Sequence, residues 1–289
     1  MIKQQVDIVC VIGTGLIGGS LAMAIKQAGF CREIVGAGRT ESTLIKAVEL
    51  GVIDRYVTSI AQAVADADIV VVSVPLGSMQ DVFEQINSGR KETTIITDAG
   101  SAKQSVIKDA ESVFGTDFHN FVPGHPIAGT EQSGVTAAFP ELYQQRRVIL
   151  TPTESTSSAA LEQVRAMWQA AGAETETMSA EHHDLVLAGT SHLPHLLAFG
   201  LVDCLNNLED IDEIFRFAAG GFRDFTRIAS SDPVMWRDIC LSNREQVLAM
   251  MKRYRDEMEK MYRVLEAGDG EKLREIFERA KKARDAFCG

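Results

Sequence analysis

The stretch "VDIVCVIGTGLIGGSLAMAIKQAGF", residues 6–30, constrains the fold more than any other part of the chain. A short apolar run ends at Gly13, Gly15 and Gly18 complete a G-x-G-x-x-G spacing, and the apolar residues then recur at helical intervals. Strand, tight turn and helix in that order open a dinucleotide-binding βαβ unit. One glycine makes the turn, one lets a pyrophosphate approach the backbone, and one permits close packing of helix on strand. The phosphates then rest on the free N–H groups of the helix N-terminus, where the dipole favours anions. Gly13, Gly15, Leu16, Ile17 and Gly18 are the expected phosphate-binding residues.

The rest of the first half keeps the same alternation. "EIVGAG", "DADIVVVSVP", "TTIITDAG" and "RRVILTPT" read as strands, with helical patterns in "TESTLIKAVELG", "SAKQSVIKDAESVFG" and "SSAALEQVRAMWQAAG". Strands alternating with helices predict a mostly parallel sheet covered on both faces. Near residue 178 the strand signals stop. Val247, Met250, Tyr254, Met258, Met261 and Leu265 recur every three or four residues, as do Leu273, Ile276, Phe277, Ala280 and Ala283. The expected organisation is α/β: a Rossmann-type dinucleotide-binding domain over residues 1–178, then an all-α domain over 179–289. The Met-rich stripe is expected to be helix–helix core, and a half this small with helices this apolar points to a homodimer through the helical domain.

Composition excludes several classes. A formal charge of −11, from 40 Asp and Glu against 29 Lys and Arg, argues against nucleic acid or an anionic membrane as the main partner. The five cysteines, Cys10, Cys31, Cys204, Cys240 and Cys288, show no CxxC or metal-ligand spacing and read as reduced cytoplasmic thiols. "MIKQQVDIVCVIG" runs straight into a strand and leaves no room for a signal peptide. The apolar stretch 185–202 contains His192, His195 and Pro194, so it is expected to be a buried helical region and not a membrane span.

Coenzyme choice is set at the end of the second strand, where a carboxylate would bind a ribose 2′-hydroxyl. Gly38 stands there, followed by Arg39 and Thr40. With no acid to repel a 2′-phosphate and an arginine to pair with it, NADP is favoured, while NAD remains open. Three segments then fall where strand ends crowd a nicotinamide: "SVPLGS" with Ser73, Val74 and Pro75, "DAGSAK" with Asp98 and Ser101, and "GHPIAGTEQSG" with His125 and Glu131. His125 is a candidate base or hydrogen-bond acceptor there, with Ser101 as a hydroxyl partner. In the helical half, His192 and His195 of "TSHLPH" lie three residues apart, with no further ligand to make a metal site. "GGFRDFTRIASSDPVMWRDI" carries Arg223, Arg227, Arg237 and Trp236 beside Gly220 and Gly221, which suits a carboxylate or phosphate clamp.

Taken in order, "GTGLIGGSLA", "DAGSAK", "GHPIAGTEQSGV", "RRVILTPT", "SHLPH" and "GGFRDFTRIASSDPVMWRDI" resemble the prephenate/arogenate (cyclohexadienyl) dehydrogenases of tyrosine biosynthesis. The resemblance implies an NAD(P)-dependent oxidative decarboxylation without metal. It implies that His125 accepts the proton of the substrate's ring hydroxyl as hydride leaves, and that Ser101 supports that hydroxyl and the nicotinamide. Arg227 would hold the ring carboxylate, His195, His192 and Trp236 would shape the pocket, and Glu131 would belong to a polar gate. The chain ends at "ARDAFCG" with no room for a regulatory domain, so any control by tyrosine is expected at the active site. A 3-hydroxyacid or 6-phosphogluconate-type dehydrogenase would need a catalytic lysine or His–Glu motif that is not evident. A non-catalytic NADP sensor would have no need of Ser101, His125 and Arg227 together.

Overall fold

The computed structural model describes residues 6–208 and 215–288, the side chain of Cys288 excepted. The expectation for the Cys288 thiol therefore lies outside the described residues. Contacts divide the chain into two compact units, Met1–Arg244 and Glu245–Gly289.

The larger unit is built on six parallel strands: β1 (Val6–Ile12), β2 (Cys31–Ala37), β3 (Arg55–Val57), β4 (Ile69–Val72), β5 (Ile95–Asp98) and β6 (Phe121–Val122). Their order is β3-β2-β1-β4-β5-β6. The order reverses between β1 and β4, the position beyond whose strand carboxyl ends open sheets of this kind bind their ligands. Side chains alternate across β1 and β4, so both faces need cover. Val9, Val11, Ile69 and Val71 join Phe30, Met167 and Trp168 in one core layer. Cys10, Ile12, Val70 and Val72 join Met79, Phe83 and Ile86 in the other. The covering helices are α1 (Leu16–Gln27), α2 (Glu41–Glu49), α3 (Ile60–Ala63), α4 (Met79–Gly89), α5 (Gln104–Phe114) and α6 (Ser158–Ala170).

One strand expectation changes place. "RVIL" does not join the main sheet. It forms β8 (Arg147–Leu150) of a second, three-stranded sheet, antiparallel to β7 (Gly124–Pro126) and parallel to β9 (Glu174–Thr177). The strand β7 is the Gly-His-Pro segment itself, with His125 opposite Ile149. Pro123 and Pro126 bracket these residues, and a hydrogen bond from Ile127 N to the Arg147 carbonyl at 2.8 Å continues the pairing.

Helical structure then runs through α7 (Ala180–Leu187), a π turn (Ala188–His192) and α8 (Leu193–Asn206). Pro194 has no N–H to offer the Thr190 carbonyl, which loosens the ladder where the π turn forms. Ala180–Asn206 is long and apolar enough to cross a membrane. However, it places His183, Asp184 and His192 in buried, hydrogen-bonded positions, as a protein interior would. Among the described residues, α9 (Gly220–Thr226) and α10 (Pro233–Ser242) follow, the latter capped by Asp232 accepting from Met235 N.

The second unit contains α11 (Arg244–Glu266) and α12 (Gly270–Cys288). Among the described residues the expected helix–helix core is only partly formed: Val247 is buried and Met250, Met261, Leu273 and Ile276 are half-buried, but Tyr254, Met258, Leu265 and Phe277 are exposed.

Trp168 carries the largest fully buried side chain and meets Tyr143 edge to face at 5.2 Å between centroids. Trp168→Ala should cost about 3–5 kcal/mol, read by denaturant unfolding.

Candidate functional site

The first turn has the geometry a pyrophosphate needs. Gly13 adopts φ +92°, and a Cβ there would lie 2.2 Å from the Ser73 carbonyl oxygen. A Cβ at Gly18 would lie 2.2 Å from the Gly13 carbonyl oxygen. Both glycines are thus required by packing. Gly15 differs: a Cβ there would meet nothing within 4 Å, so open space faces the backbone where the phosphates would approach. Gly15 also caps α1 without any side-chain hydrogen bond, and the Thr14 hydroxyl beside it is buried with no partner. These residues fit a dinucleotide, which would take up the free helix N–H groups.

At the end of β5 a buried ion pair ties three segments together. Asp98 and Lys103, both fully buried, are hydrogen-bonded to each other. Asp98 also accepts from Gly100 N at 2.7 Å and Gly124 N at 3.1 Å, while the Lys103 ammonium donates to the Gly124 carbonyl at 2.7 Å. Both backbone groups of Gly124 are thereby clamped, which fixes the strand residue next to it, His125. Asp98 was expected to touch the cofactor, but its carboxylate is fully engaged inside the protein. Burial pulls the Lys103 ammonium below its usual range, against the opposing pull of Asp98. The same side-chain bonds leave Lys103 no freedom as a base.

Three of the six histidines, His125, His183 and His192, gather around this clamp. His125 Nδ1 lies 2.8 Å from His183 Nε2, and His183 Nδ1 lies 2.8 Å from Asp184 Oδ1. Asp184 Oδ1 also accepts from Lys103 N at 2.8 Å, and Oδ2 accepts from Gln104 N at 3.0 Å and Gln104 Nε2 at 3.3 Å. The cap residue of α5, Lys103, supplies no side-chain cap of its own. A carboxylate from α7 does that job instead, and it suits a helix N-terminus. Asn243 Nδ2 donates to the Asp184 carbonyl at 2.7 Å and faces His192 Nδ1 at 3.1 Å.

Burial and the neighbouring His183, Lys103 and His192 hold the His125 ring well below the usual histidine range. Burial also lowers His183, although its bond to Asp184 works the other way. Burial pushes His192 down to about 4, offset only partly by Asp184 and by the Ser101 carbonyl beside it. His192 Nε2 and the Trp236 indole N–H are buried without a hydrogen-bond partner of good geometry. Burial would raise Asp184, but the His183 bond and the two amides keep it below the usual carboxylate range. These imidazoles are therefore neutral at pH 7 and able to accept.

The remaining expected residues lie on several elements. His195 stacks on Trp236 with ring centroids 3.5 Å apart, and its Nδ1 pairs with the Ser191 carbonyl at 2.9 Å. His192 meets the same indole edge to face. Arg227 forms an ion pair with Glu131, so the expected carboxylate clamp and gate residue meet each other. The turn that begins at Arg227 packs on the helix carrying His195. Ser101 is half-buried at the end of β5, and His192 is the neighbour it shares with His125. Ser73, Val74 and Pro75 follow β4, and α10 packs against the turn after them, with Asp238 close to Gly77. Arg39 and Thr40 are exposed past β2.

His183 and Asp184 were not among the expected site residues. The signal for them was present: His183, Asp184, Leu187 and Ala188 all occupy the buried stripe of one helix. Two polar residues in such a stripe call for partners. No group of His, Cys, Asp and Glu among the described residues is arranged to hold a metal.

Residues 21–177 match the family profile described as "Prephenate dehydrogenase, nucleotide-binding domain", and residues 179–279 match "Prephenate dehydrogenase, dimerization domain". A prephenate dehydrogenase of Bacillus subtilis is 38% identical over 287 residues, covering 99% of this chain and 77% of that protein. A cyclohexadienyl dehydrogenase of Zymomonas mobilis is 38% identical over 285 residues, covering 96% of this chain and 95% of the relative. The crystal structure of an A. aeolicus prephenate dehydrogenase with hydroxyphenyl propionate and NAD+ superposes with a TM-score of 0.91 at 38% identity, covering 97% of this chain and 98% of that one. A Synechocystis arogenate dehydrogenase superposes with a TM-score of 0.81 at 25% identity, covering 97% and 99%.

The two glycine environments make opposite demands. Gly13→Ala should lower the unfolding temperature, because strain at φ +92° adds to a backbone clash. Gly15→Ala should keep the fold and weaken dinucleotide binding at least tenfold, read by titration calorimetry alongside the melt.

Proposed function

Since the chain belongs to the prephenate dehydrogenase family, we propose that His125 is the proton acceptor, and Arg227 the carboxylate clamp, of its oxidative decarboxylation. The protein is an NAD(P)-dependent oxidoreductase acting on prephenate or arogenate. The observation that carries the residue assignment is a neutral imidazole fixed on a clamped strand next to the carboxyl end of β5.

A nicotinamide coenzyme held on the Gly13–Gly18 turn would supply the hydride acceptor. The chain's own residues do the rest. His125 accepts the proton of the ring hydroxyl while that carbon is oxidised, and loss of the ring carboxylate as CO₂ restores aromaticity. Aromatisation supplies the driving force, which leaves the protein the tasks of orientation and proton acceptance. Ser101 supports the hydroxyl. Arg227 holds the substrate carboxylate, for which its guanidinium has a matching fork, and Glu131 pairs with one of its nitrogens until substrate replaces it. His192, His195 and Trp236 form the wall, and the buried Nε2 of His192 and the Trp236 N–H are available for substrate or cofactor oxygens. Lys103, held by Asp98 and Gly124, does not serve the lysine-dependent chemistry of 6-phosphogluconate-type enzymes.

We assign NADP as the preferred cofactor. Gly38 leaves space: a Cβ there would meet only Leu44 Cδ2 at 3.8 Å. The lack of an acid is thus a feature of the sequence and not forced by packing. Arg39 is exposed and, among the described residues, in no ion pair, which leaves it free for a 2′-phosphate. The reading further includes a functional division near residue 178, a cytoplasmic location, and a homodimer in which the exposed stripe of α11 and α12 is covered by a second copy.

Steady-state kinetics with prephenate and arogenate, each against NADP and NAD, tests the reading directly. Turnover with neither substrate overturns the activity, and normal turnover by His125→Asn overturns the acceptor. Gly38→Asp should move the ratio of kcat/KM from NADP toward NAD by about tenfold or more, in line with an acid repelling the 2′-phosphate.

A further inference from the structure

An acceptor histidine must present an unprotonated nitrogen, and imidazole has two candidates. The hydrogen bonds around His125 decide between them. Asp184 is ionised and can only accept, so the Nδ1 of His183 beside it must carry the hydrogen. In neutral His183 the other nitrogen, Nε2, is then a bare acceptor. That nitrogen faces His125 Nδ1 at 2.8 Å, so His125 Nδ1 must carry the next hydrogen. By the same logic Nε2 of His125 is left as a lone pair. The tautomer is set two rings away by a carboxylate. Nothing in that carboxylate's surroundings competes for the role, because its remaining bonds are the amides of Lys103 and Gln104 and the Gln104 side chain.

We propose that His183 and Asp184 are positioning residues of the reaction, forming a relay that keeps His125 Nε2 open and receives a proton from His125 Nδ1 when the substrate hydroxyl is deprotonated. The inference rests on His125 being the acceptor. Its proton balance is closed. The hydroxyl proton binds His125 Nε2, the Nδ1 proton of His125 moves to His183 Nε2, and His183 becomes an imidazolium beside the Asp184 carboxylate. The ring left behind is again neutral His125, with its hydrogen now on Nε2.

The relay explains why charge does not stay on His125. The charged or titrating groups facing it are His183, Lys103 and His192, and all three disfavour an imidazolium there. His183 faces Lys103 as well, but it also faces the carboxylates of Asp184 and Asp98, which favour its charged form. The proton therefore has a more favourable resting place one ring inward, on the fully buried His183.

Three variants and one spectrum test this. His183→Leu removes acceptor and relay together. His183→Gln offers an acceptor oxygen to His125 Nδ1 but cannot carry a proton. Asp184→Asn keeps the size and removes the charge that fixes the tautomer. The expected order of kcat for prephenate oxidation is parent, then Gln, then Leu, with Leu lower than parent by about 10²-fold or more. KM for prephenate should change by less than about threefold, since none of these residues is assigned to binding. Asp184→Asn should also move the acid limb of the kcat profile, which a purely structural defect would not do. Should Asp184→Asn fail to fold, for Asp184 also caps α5, the unmodified protein decides the matter: imidazole ¹⁵N shifts should show His125 protonated on Nδ1 and bare on Nε2. The opposite tautomer in that spectrum overturns the relay, as does a His183→Leu enzyme with parental kcat. Loss of the underlying reading looks different, because then His125→Asn itself keeps normal turnover.

Discussion

The buried pair of Asp98 and Lys103 is the interaction on which the site depends. Two opposite charges without solvent are expensive unless every remaining donor and acceptor is matched, and here the matching is what organises the chain. Asp98 ends a strand of the large sheet, and its carboxylate takes the amides of Gly100 and Gly124. Lys103 stands at the head of a helix, its ammonium on Asp98 and on the Gly124 carbonyl. Its own amide is held by Asp184 from the helical segment. One ion pair thus joins the end of the Rossmann sheet, the small second sheet and α7. Removing either partner would leave an uncompensated buried charge where three elements meet.

Function follows from that junction in short steps. Gly124 is clamped, so His125 is placed. Asp184 caps α5 and orients His183, so the ring facing His125 is oriented too. The helix that carries these groups contains a π turn, which moves His192 and His195 to a new register against Trp236 and Asn243. The deviation from regular helix lies where the site needs it, as is common for π turns. Among the described residues, the hydroxyl of Thr14, His192 Nε2 and the Trp236 N–H are buried without a hydrogen-bond partner. Their unmet hydrogen bonds are costly in the free protein and useful to ligands that can meet them.

Much of this was readable in advance, and the reasons differ from element to element. The β1–α1 unit was legible because its signals are local: an apolar run, three glycines and a helical period within 25 residues. His125, Ser101 and Arg227 stood out because their motifs are dense in residues with special backbone or chemical demands. Asp98 departs from its expectation for the opposite reason. A carboxylate at a strand end looks like a ligand group, and only the fold shows that Lys103 and Gly124 use it up. His183 and Asp184 were passed over because their partners lie 58 and 81 residues away in the chain. The stripe on α11 and α12 has the right period for a core, yet period alone does not say whether the facing surface belongs to the same chain.

By itself, the sequence determined β1, β2, β4, β5 and β8 and the helices α1, α2, α5 and α6, though not β3, α4, β6 or β9, and it showed which chemistry its imidazole and guanidinium groups could perform. These follow from local periodicity and from side chains whose chemical roles are few. Only the tertiary structure decided that Gly-His-Pro is itself a strand in a separate sheet, and that a histidine and an aspartate from α7 complete the site. Both outcomes come from long-range hydrogen bonding to buried charges. Such bonds are set by where elements meet, and no spacing along the chain records it.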